Sequence, residues 1–424
     1  MFENWIMIVF VLGYAAIAME HKIGVNKASA ALLTAVACWV LLALQQVNVL
    51  GGTLHGIAES LSHHLEGTAQ IIFFLIGAMT IVQLMETHGG FQVVTDMLTI
   101  KKKRKLLCVV SLITFFLSAV LDNLTTSIVM VSLLHRLVND RDDRLIFGSM
   151  VIIAANAGGA WSPIGDVTTT MLWIGGRVSA LRIVEMLFIP SMIAMLVPLA
   201  YFALTMKDGE VAPLVRSHEE KQIGTRRVFY LGLGALVLVP IFKGITGLPP
   251  FVGILFGLGL LWLVTDITHG NSREHLKVPL ALHKIDMSSI MFFLGILLAV
   301  SALETAGILK SLALGMDSIL ANKDIIATEL GLVSAIVDNI PITAATMGMY
   351  DLATYPMDCK LWELLAFTLG TGGSVLIIGS AAGVVVMGME KINFLWYLKK
   401  VSLPALVGYF AGIGSYLLIY RWIG

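Results

Sequence analysis

Ser118-Ala119-Val120-Leu121-Asp122-Asn123 and Ser334-Ala335-Ile336-Val337-Asp338-Asn339 are one phrase written twice, 216 residues apart. Each is an apolar run that stops at an acid and an amide. Working outward, two further phrases recur in the same order. Before it, Gly77, Glu86-Thr87 and Gly89 return as Gly295, Glu304-Thr305 and Gly307, at an offset of 218. After it, Gly158-Gly159 and Ile164-Gly165 return as Gly372-Gly373 and Ile378-Gly379, at an offset of 214. Apolar segments broken by Gly, Pro and polar residues at matching places in two halves mark the binding site of a carrier. The expectation is an all-α polytopic membrane protein with a duplicated core.

Composition agrees. Of 424 residues, 57% are hydrophobic and 13% charged, where soluble domains carry about 25% charged. Stretches such as Ala28–Leu44, Ile183–Met206 and Pro249–Val264 are long and apolar enough to read as membrane helices. Acidic and basic residues balance at 28 each, so no nucleic-acid partner is expected. Cys38, Cys108 and Cys359 have neither metal nor disulfide spacing. Trp5–Glu20 lacks a basic start and a small-residue cleavage site, and reads as a retained helix.

The loops sort by Lys and Arg content. Rich ones are Lys101–Lys105, Arg141–Arg144, Arg216–Arg227, Arg273–Lys284 and Lys391–Lys400; poor ones are Gly51–Gly67, Gly244–Pro250 and Asp351–Trp362. A threading with every rich loop in the cytoplasm and both termini outside requires the segments around Asp122 and Asp338 to enter and leave on one side. Their arms, Lys105–Leu121 with Asn123–Val138 and Asp324–Val337 with Asn339–Met349, are too short to span. They read as re-entrant helical hairpins with the acids at their tips. Five crossings then separate the first block from its copy, and an odd number makes the two repeats inverted in topology.

Hairpin tips and broken helices leave backbone groups that lipid cannot satisfy, so they must face protein or a wet cavity. The broken stretches are Asn156–Asp166 and Gly370–Gly379. These breaks hold Asp122, Asp166 and Asp338 with Asn123, Asn156 and Asn339, and no Lys or Arg. A desolvated carboxylate must bind a cation or take up a proton, and carboxylate, amide and hydroxyl oxygens suit an alkali or alkaline-earth ion. Competition of the two for one carboxylate yields exchange if only loaded forms move. Asp166 aligns with Ser380, so the first half is richer in charge. The main cation site is therefore placed at Asp122 and Asp166, with Asn123, Asn156, Ser162 and Thr168 as neutral ligands. Asp338, beside Asn339, is a second site or a proton-only group. Thr126, Thr343, Ser374 and Ser380 are secondary candidates, as are the matched boundary glutamates Glu86 and Glu304.

Plainer readings stand beside these. Asp122 and Asp338 can cap the helix arms that follow, although Asn or Ser would cap without an intramembrane charge. Asp166 can simply start the segment after its break. Glu86 and Glu304 sit where glutamates are commonly solvated or paired. His55, His63, His64 and His88 can sense pH at a membrane surface, but read more simply as solvated loop residues.

At SAVLDNLTTSIVM (Ser118–Met130), NAGGAWSPIGDVTTTMLW (Asn156–Trp173), SAIVDNIPITAA (Ser334–Ala345) and GTGGSVLIIGSAAG (Gly370–Gly383) the sequence resembles the NhaD-type sodium/proton antiporters of the ion transporter superfamily. The resemblance runs from about Phe73 to the end, and it leaves the first two helices generic. It implies exchange of cytoplasmic Na⁺ or Li⁺ for external H⁺ in a bacterial inner membrane, pH homeostasis, no cofactor and no enzymatic activity. It also implies a homodimer of scaffold and transport parts. On that basis residues 1–50 and 183–265 are scaffold, 68–182 and 288–390 are the transport parts of the repeats, and 391–424 is the C-terminal helix. The dicarboxylate branch shows Ser-Asn-Thr at both sites; Asp-Asn-Leu-Thr and Asp-Asn-Ile-Pro stand here. Na⁺-coupled transport of a carboxylate or arsenite is the runner-up, and an intramembrane aspartyl protease the reading from another class.

Overall fold

The computed structural model describes residues 2–49, 54–92, 100–207, 209–211, 224–269, 276–320 and 322–423. Among these there is no strand, only an isolated bridge between Lys102 and Glu210. Eight of the described helices, from Lys27–Gln45 to Ser402–Ile423, are long and apolar enough to cross a membrane. Most are apolar all round, as helices are whose faces meet lipid or other helices rather than water. This is a multi-pass membrane protein.

Each half uses the same parts in the same order. The first has two leading helices (Phe2–Ala18, Lys27–Val49), a long helix (Leu54–Thr87) and a hairpin (Lys103–Leu121, Asn123–Leu137). A broken helix (Arg141–Ala160, Val167–Ile174) and a closing helix (Ala180–Thr205) complete it. The second repeats this as Thr225–Thr246, Pro250–His269, Met287–Thr305, Lys323–Val333 with Asn339–Met349, Lys360–Gly372 with Ala381–Glu390, and Ser402–Ile423. The repeat is thus longer than its motifs, and takes in N-terminal helices whose sequence carries no motif. The halves also trade partners. Lys27–Val49 packs on Met287–Thr305, Pro250–His269 packs on Leu54–Thr87, and the two closing helices pack on each other.

The broken helices fix how the hairpins face. Lys360, at the start of the second broken helix, bonds Asp324 at the base of the second hairpin, 2.6 Å away. Glu390, at its far end, pairs with His135 at the base of the first hairpin and with Arg144, 3.2 Å from each. Broken helix one runs the other way: Lys103 at the first hairpin's base pairs with Asp143 near its start, and beyond its end Arg177 bonds the Met347 carbonyl of the second hairpin at 2.9 Å. The hairpins therefore enter the bundle from opposite ends.

Close backbone approach holds each hairpin against its own broken helix. A Cβ on Gly158 would lie 2.2 Å from the Phe115 carbonyl oxygen, and one on Gly372 would lie 2.0 Å from the Gly331 carbonyl oxygen. These are the same contact in both halves, and only glycine permits it. The second hairpin departs from expectation in one respect. Its first arm ends at Val333 rather than at Val337. Ser334 turns its hydroxyl onto the carbonyls of Gly331 (2.7 Å) and Leu369 (3.4 Å), and the chain reaches Asp338 as a string of turns.

Candidate functional site

Three segments that are far apart in the sequence share one buried hydrogen-bond network. The Asn123 amide nitrogen, at the first hairpin's tip, donates to Asp166 Oδ2 at 2.9 Å and to Asn156 Oδ1 at 3.1 Å. The Asn156 amide nitrogen donates in turn to the hydroxyls of Ser374 and Ser380, both at 2.9 Å, in the second half's break. Asn156 has no exposure and Asp166 only 2%. Each oxygen of Asp166 has a separate partner: Oδ1 accepts from the Thr168 backbone at 3.1 Å and caps Val167–Ile174, while Oδ2 takes Asn123. Asp166 is thus both a helix cap and a member of this hydrogen-bond network. Its twin Ser380 caps Ala381–Glu390 through the Gly383 N–H at 3.1 Å, so the two halves differ here by one negative charge.

The hairpin acids are treated differently. Asp122 sits at φ 84°, ψ 157°, a backbone region that is nearly exclusive to glycine. Both of its oxygens are engaged locally, one by the Thr125 N–H and the other by the Thr125 hydroxyl, each at 2.8 Å. Three residues beyond Asp338 the chain has Pro341, which offers neither donor. Asp338 accordingly lacks the hydroxyl partner that Asp122 has, and accepts from the Ile340 N–H at a long 3.4 Å. Asp122 adjoins Asn123, whose amide nitrogen bonds Asp166, so the first hairpin's acid stands one residue from the network.

Among the described residues no three His, Cys, Asp or Glu side chains converge as a metal cluster. The oxygens around Asp166 are those of one acid with amides and hydroxyls, a hard, singly charged donor set. That suits a monovalent hard cation better than a divalent one, which draws on several carboxylates. Two buried threonines belong to these segments, Thr126 one turn beyond Asn123 and Thr168, whose backbone N–H bonds the Asp166 carboxylate.

The remaining expected residues are more dispersed. The Ser162 hydroxyl is turned to the Ile164 N–H at 3.4 Å, inside its own break. Asn339 is buried, and its carbonyl accepts from Thr343 at 2.8 Å, as the Asn123 carbonyl does from Ser127 at 2.7 Å. Glu86 is exposed at its helix end. Glu304 is also exposed, and with His64, Gln70, Ser301, Met171 and Met347 it lines a partly open cavity of about 190 Å³. His88 is no solvated loop residue: it is fully buried with Nδ1 2.8 Å from the Leu84 carbonyl. The side chain of His55 lies outside the described residues.

Two buried glutamates escape a sequence reading. Glu363 has no side-chain exposure and is held by Arg182 (2.6 Å) and the Tyr416 hydroxyl (2.7 Å), while Glu390 is held by His135 and Arg144. Nothing near either glutamate in the sequence marks it, because its basic partner is about half the chain away.

Comparison with known proteins places this architecture. The citrate transporter family model, CitMHS, matches residues 14–369. "Sodium/proton antiporter 1" of Arabidopsis thaliana is 51% identical, over 98% of this chain and 72% of that one. "Sodium/proton antiporter 2" of the same plant is 48% identical, over 98% and 99%. "Na(+)/H(+) antiporter NhaD" of Vibrio cholerae is 29% identical, over 97% and 91%. The chain belongs to the NhaD-type sodium/proton antiporter family. As a member of that family it also shares its fold with the solved YdaH transporter of Alcanivorax borkumensis, with a TM-score of 0.60 over 93% of this chain and 99% of that one, at 15% identity.

Proposed function

We propose that this member of the family exchanges cytoplasmic Na⁺ or Li⁺ for external H⁺, with cation and proton competing for Asp166. The observation that carries the reading is the carboxylate of Asp166, buried between hairpin tip and both breaks and bonded only by Asn123 and Thr168. Na⁺ entering there displaces the carboxyl proton, so one positive charge replaces another. Asn123, Asn156 and the hydroxyls of Thr168, Ser374 and Ser380 supply neutral oxygens. Asp122 sits close by as a second negative charge that raises the site's demand for a cation. The opposed entry of the hairpins supports an inverted repeat that opens the same site to either side in turn. The basic loops at the first hairpin's base support a cytoplasmic placement of that end. A bacterial cell membrane and a homodimer go with this reading. The least buried spanning helices, Thr225–Thr246 and Pro250–Thr268, belong to the scaffold that would hold the dimer.

Uptake of a carboxylate is the second reading, favoured by the citrate transporter description of the matching model. Against it, no Lys or Arg joins the network to receive an anion. Everted vesicles carrying a pH-sensitive dye separate the two. Dequenching on NaCl or LiCl that is lost in Asp166→Asn is the expected outcome. Na⁺-driven uptake of citrate or succinate with no proton response would overturn the exchange reading.

A further inference from the structure

Four helices close a ring. Leu54–Thr87 packs on Met287–Thr305, that helix on the arm Asn339–Met349, the arm on Val167–Ile174, and Val167–Ile174 on Leu54–Thr87 again. All four line the partly open cavity of about 190 Å³, to which His64, Gln70, Ser301 and Glu304 contribute polar side chains. A space of that size holds several waters, and those side chains give them partners. The cavity lies toward the start of Leu54–Thr87 and at the last turns of the other three helices. The loops that border this end, Gly51–Gly67 and Asp351–Trp362, are poor in Lys and Arg, as external loops are.

The inner end of the cavity approaches the buried network. Met171, in its wall, stands five residues past Asp166 on the helix that Asp166 caps, about 7.5 Å along the axis. Ala344 stands five residues past Asn339 on the second hairpin. The walls are tied in two pairs. The Thr305 hydroxyl lies 3.2 Å from both the Ser60 hydroxyl and His64 Nε2, which joins the two long helices. Arg177 donates to the Met347 carbonyl at 2.9 Å, which joins the end of the first broken helix to the hairpin arm. Glu304 stands at the seam between the pairs, against Gly348, where a Cβ would lie 3.1 Å from Glu304 Oε2. The Met347 methyl lies against Gly175 on the same seam.

We propose that this cavity is the external approach to Asp166, the pocket through which a proton enters and a hydrated alkali cation leaves. Glu304, the acid among its lining residues, holds negative charge at the seam and raises the local concentration of cations. Met171 and Met347 stand between the pocket and the network, and their unbranched, flexible side chains are suited to open the last stretch. The proposal rests on the exchange reading and on its placement of the basic loops in the cytoplasm.

The test uses the full chain with Cys38→Ala, Cys108→Ala and Cys359→Ala, carrying either Ser301→Cys or Ala344→Cys on different walls of the cavity. Phe256→Cys, on an exposed face of the spanning helix Pro250–His269, is the control. A membrane-impermeant cationic methanethiosulfonate is applied to right-side-out and to everted vesicles, and both the free thiol and Na⁺-driven proton exchange are measured. Ser301→Cys and Ala344→Cys should be modified from the external face, lose exchange as they are modified, and resist the reagent from the cytoplasmic face. Phe256→Cys should stay unmodified. Modification no faster from outside than from the cytoplasm, none beyond the Phe256→Cys control, or full modification with exchange retained overturns the proposal. Should one cysteine variant fail to accumulate, the other decides by the same outcomes. The thiol is read without transport, so a wild type with no Na⁺ response removes the exchange reading and not the external opening.

Discussion

Asp122, Asp166 and Asp338 all begin helices, yet only Asp166 directs a carboxylate oxygen into the shared network. Asn123 sets that oxygen's position, so Asn123→Ala removes a bonded neighbour without removing the acid. Loss of such an outer partner costs roughly 10–100-fold in metal affinity. We expect a rise of that order in the Na⁺ concentration for half-maximal dequenching, with the maximal response kept. An unchanged half-maximal concentration would take Asn123 out of the site. Asp122 invites a different substitution. At φ 84° a glycine relaxes the tip by about 1–3 kcal/mol. Asp122→Gly should therefore raise the melting temperature of the purified protein while impairing exchange, and a lower melting temperature would show the Thr125 cap to outweigh the strain. Acids and amides at the breaks were legible in the sequence as a type of residue. Which oxygen faces what was not, since that depends on Thr125 standing where its twin is Pro341.

At the scale of elements, the breaks and hairpins follow from spacing of Gly, Pro and Asp that recurs in both halves, and this is why they can be read off the chain. Their contacts are made by backbone. Gly158 faces the Phe115 carbonyl so closely that a methyl has no room. Gly158→Ala forces the hairpin arm from the broken helix and should destabilise by about 1–3 kcal/mol, the usual cost of overpacking. Gly372→Ala should do the same in the other half. Thermal unfolding in detergent checks both, and a loss confined to one of them would contradict the equivalence of the halves. The early end of the second hairpin's first arm at Val333 was hidden, because the Ser334 hydroxyl finds its carbonyl partners only once the arm has packed. The ion pairs of Glu363 and Glu390 were hidden for a similar reason.

For the whole molecule, the crossed packing of the two halves explains why helices without motifs matter. Lys27–Val49 and Pro250–His269 carry no motif, yet each packs on the long helix of the other half. Loop charges did predict opposed hairpins, and the bonds at the two ends of each broken helix agree with that prediction; arm length does not carry it, because Lys103–Leu121 is long and apolar enough to cross a membrane. If proton and Na⁺ compete for one buried carboxylate, the apparent Na⁺ affinity must fall about tenfold for each pH unit on the acid side of the carboxyl's titration. The most direct measurement is proton release from purified protein in weakly buffered detergent on addition of NaCl. The account predicts release that saturates with Na⁺, follows LiCl as well, and disappears in Asp166→Asn. Na⁺ binding with no proton released, or release undiminished in Asp166→Asn, would contradict it.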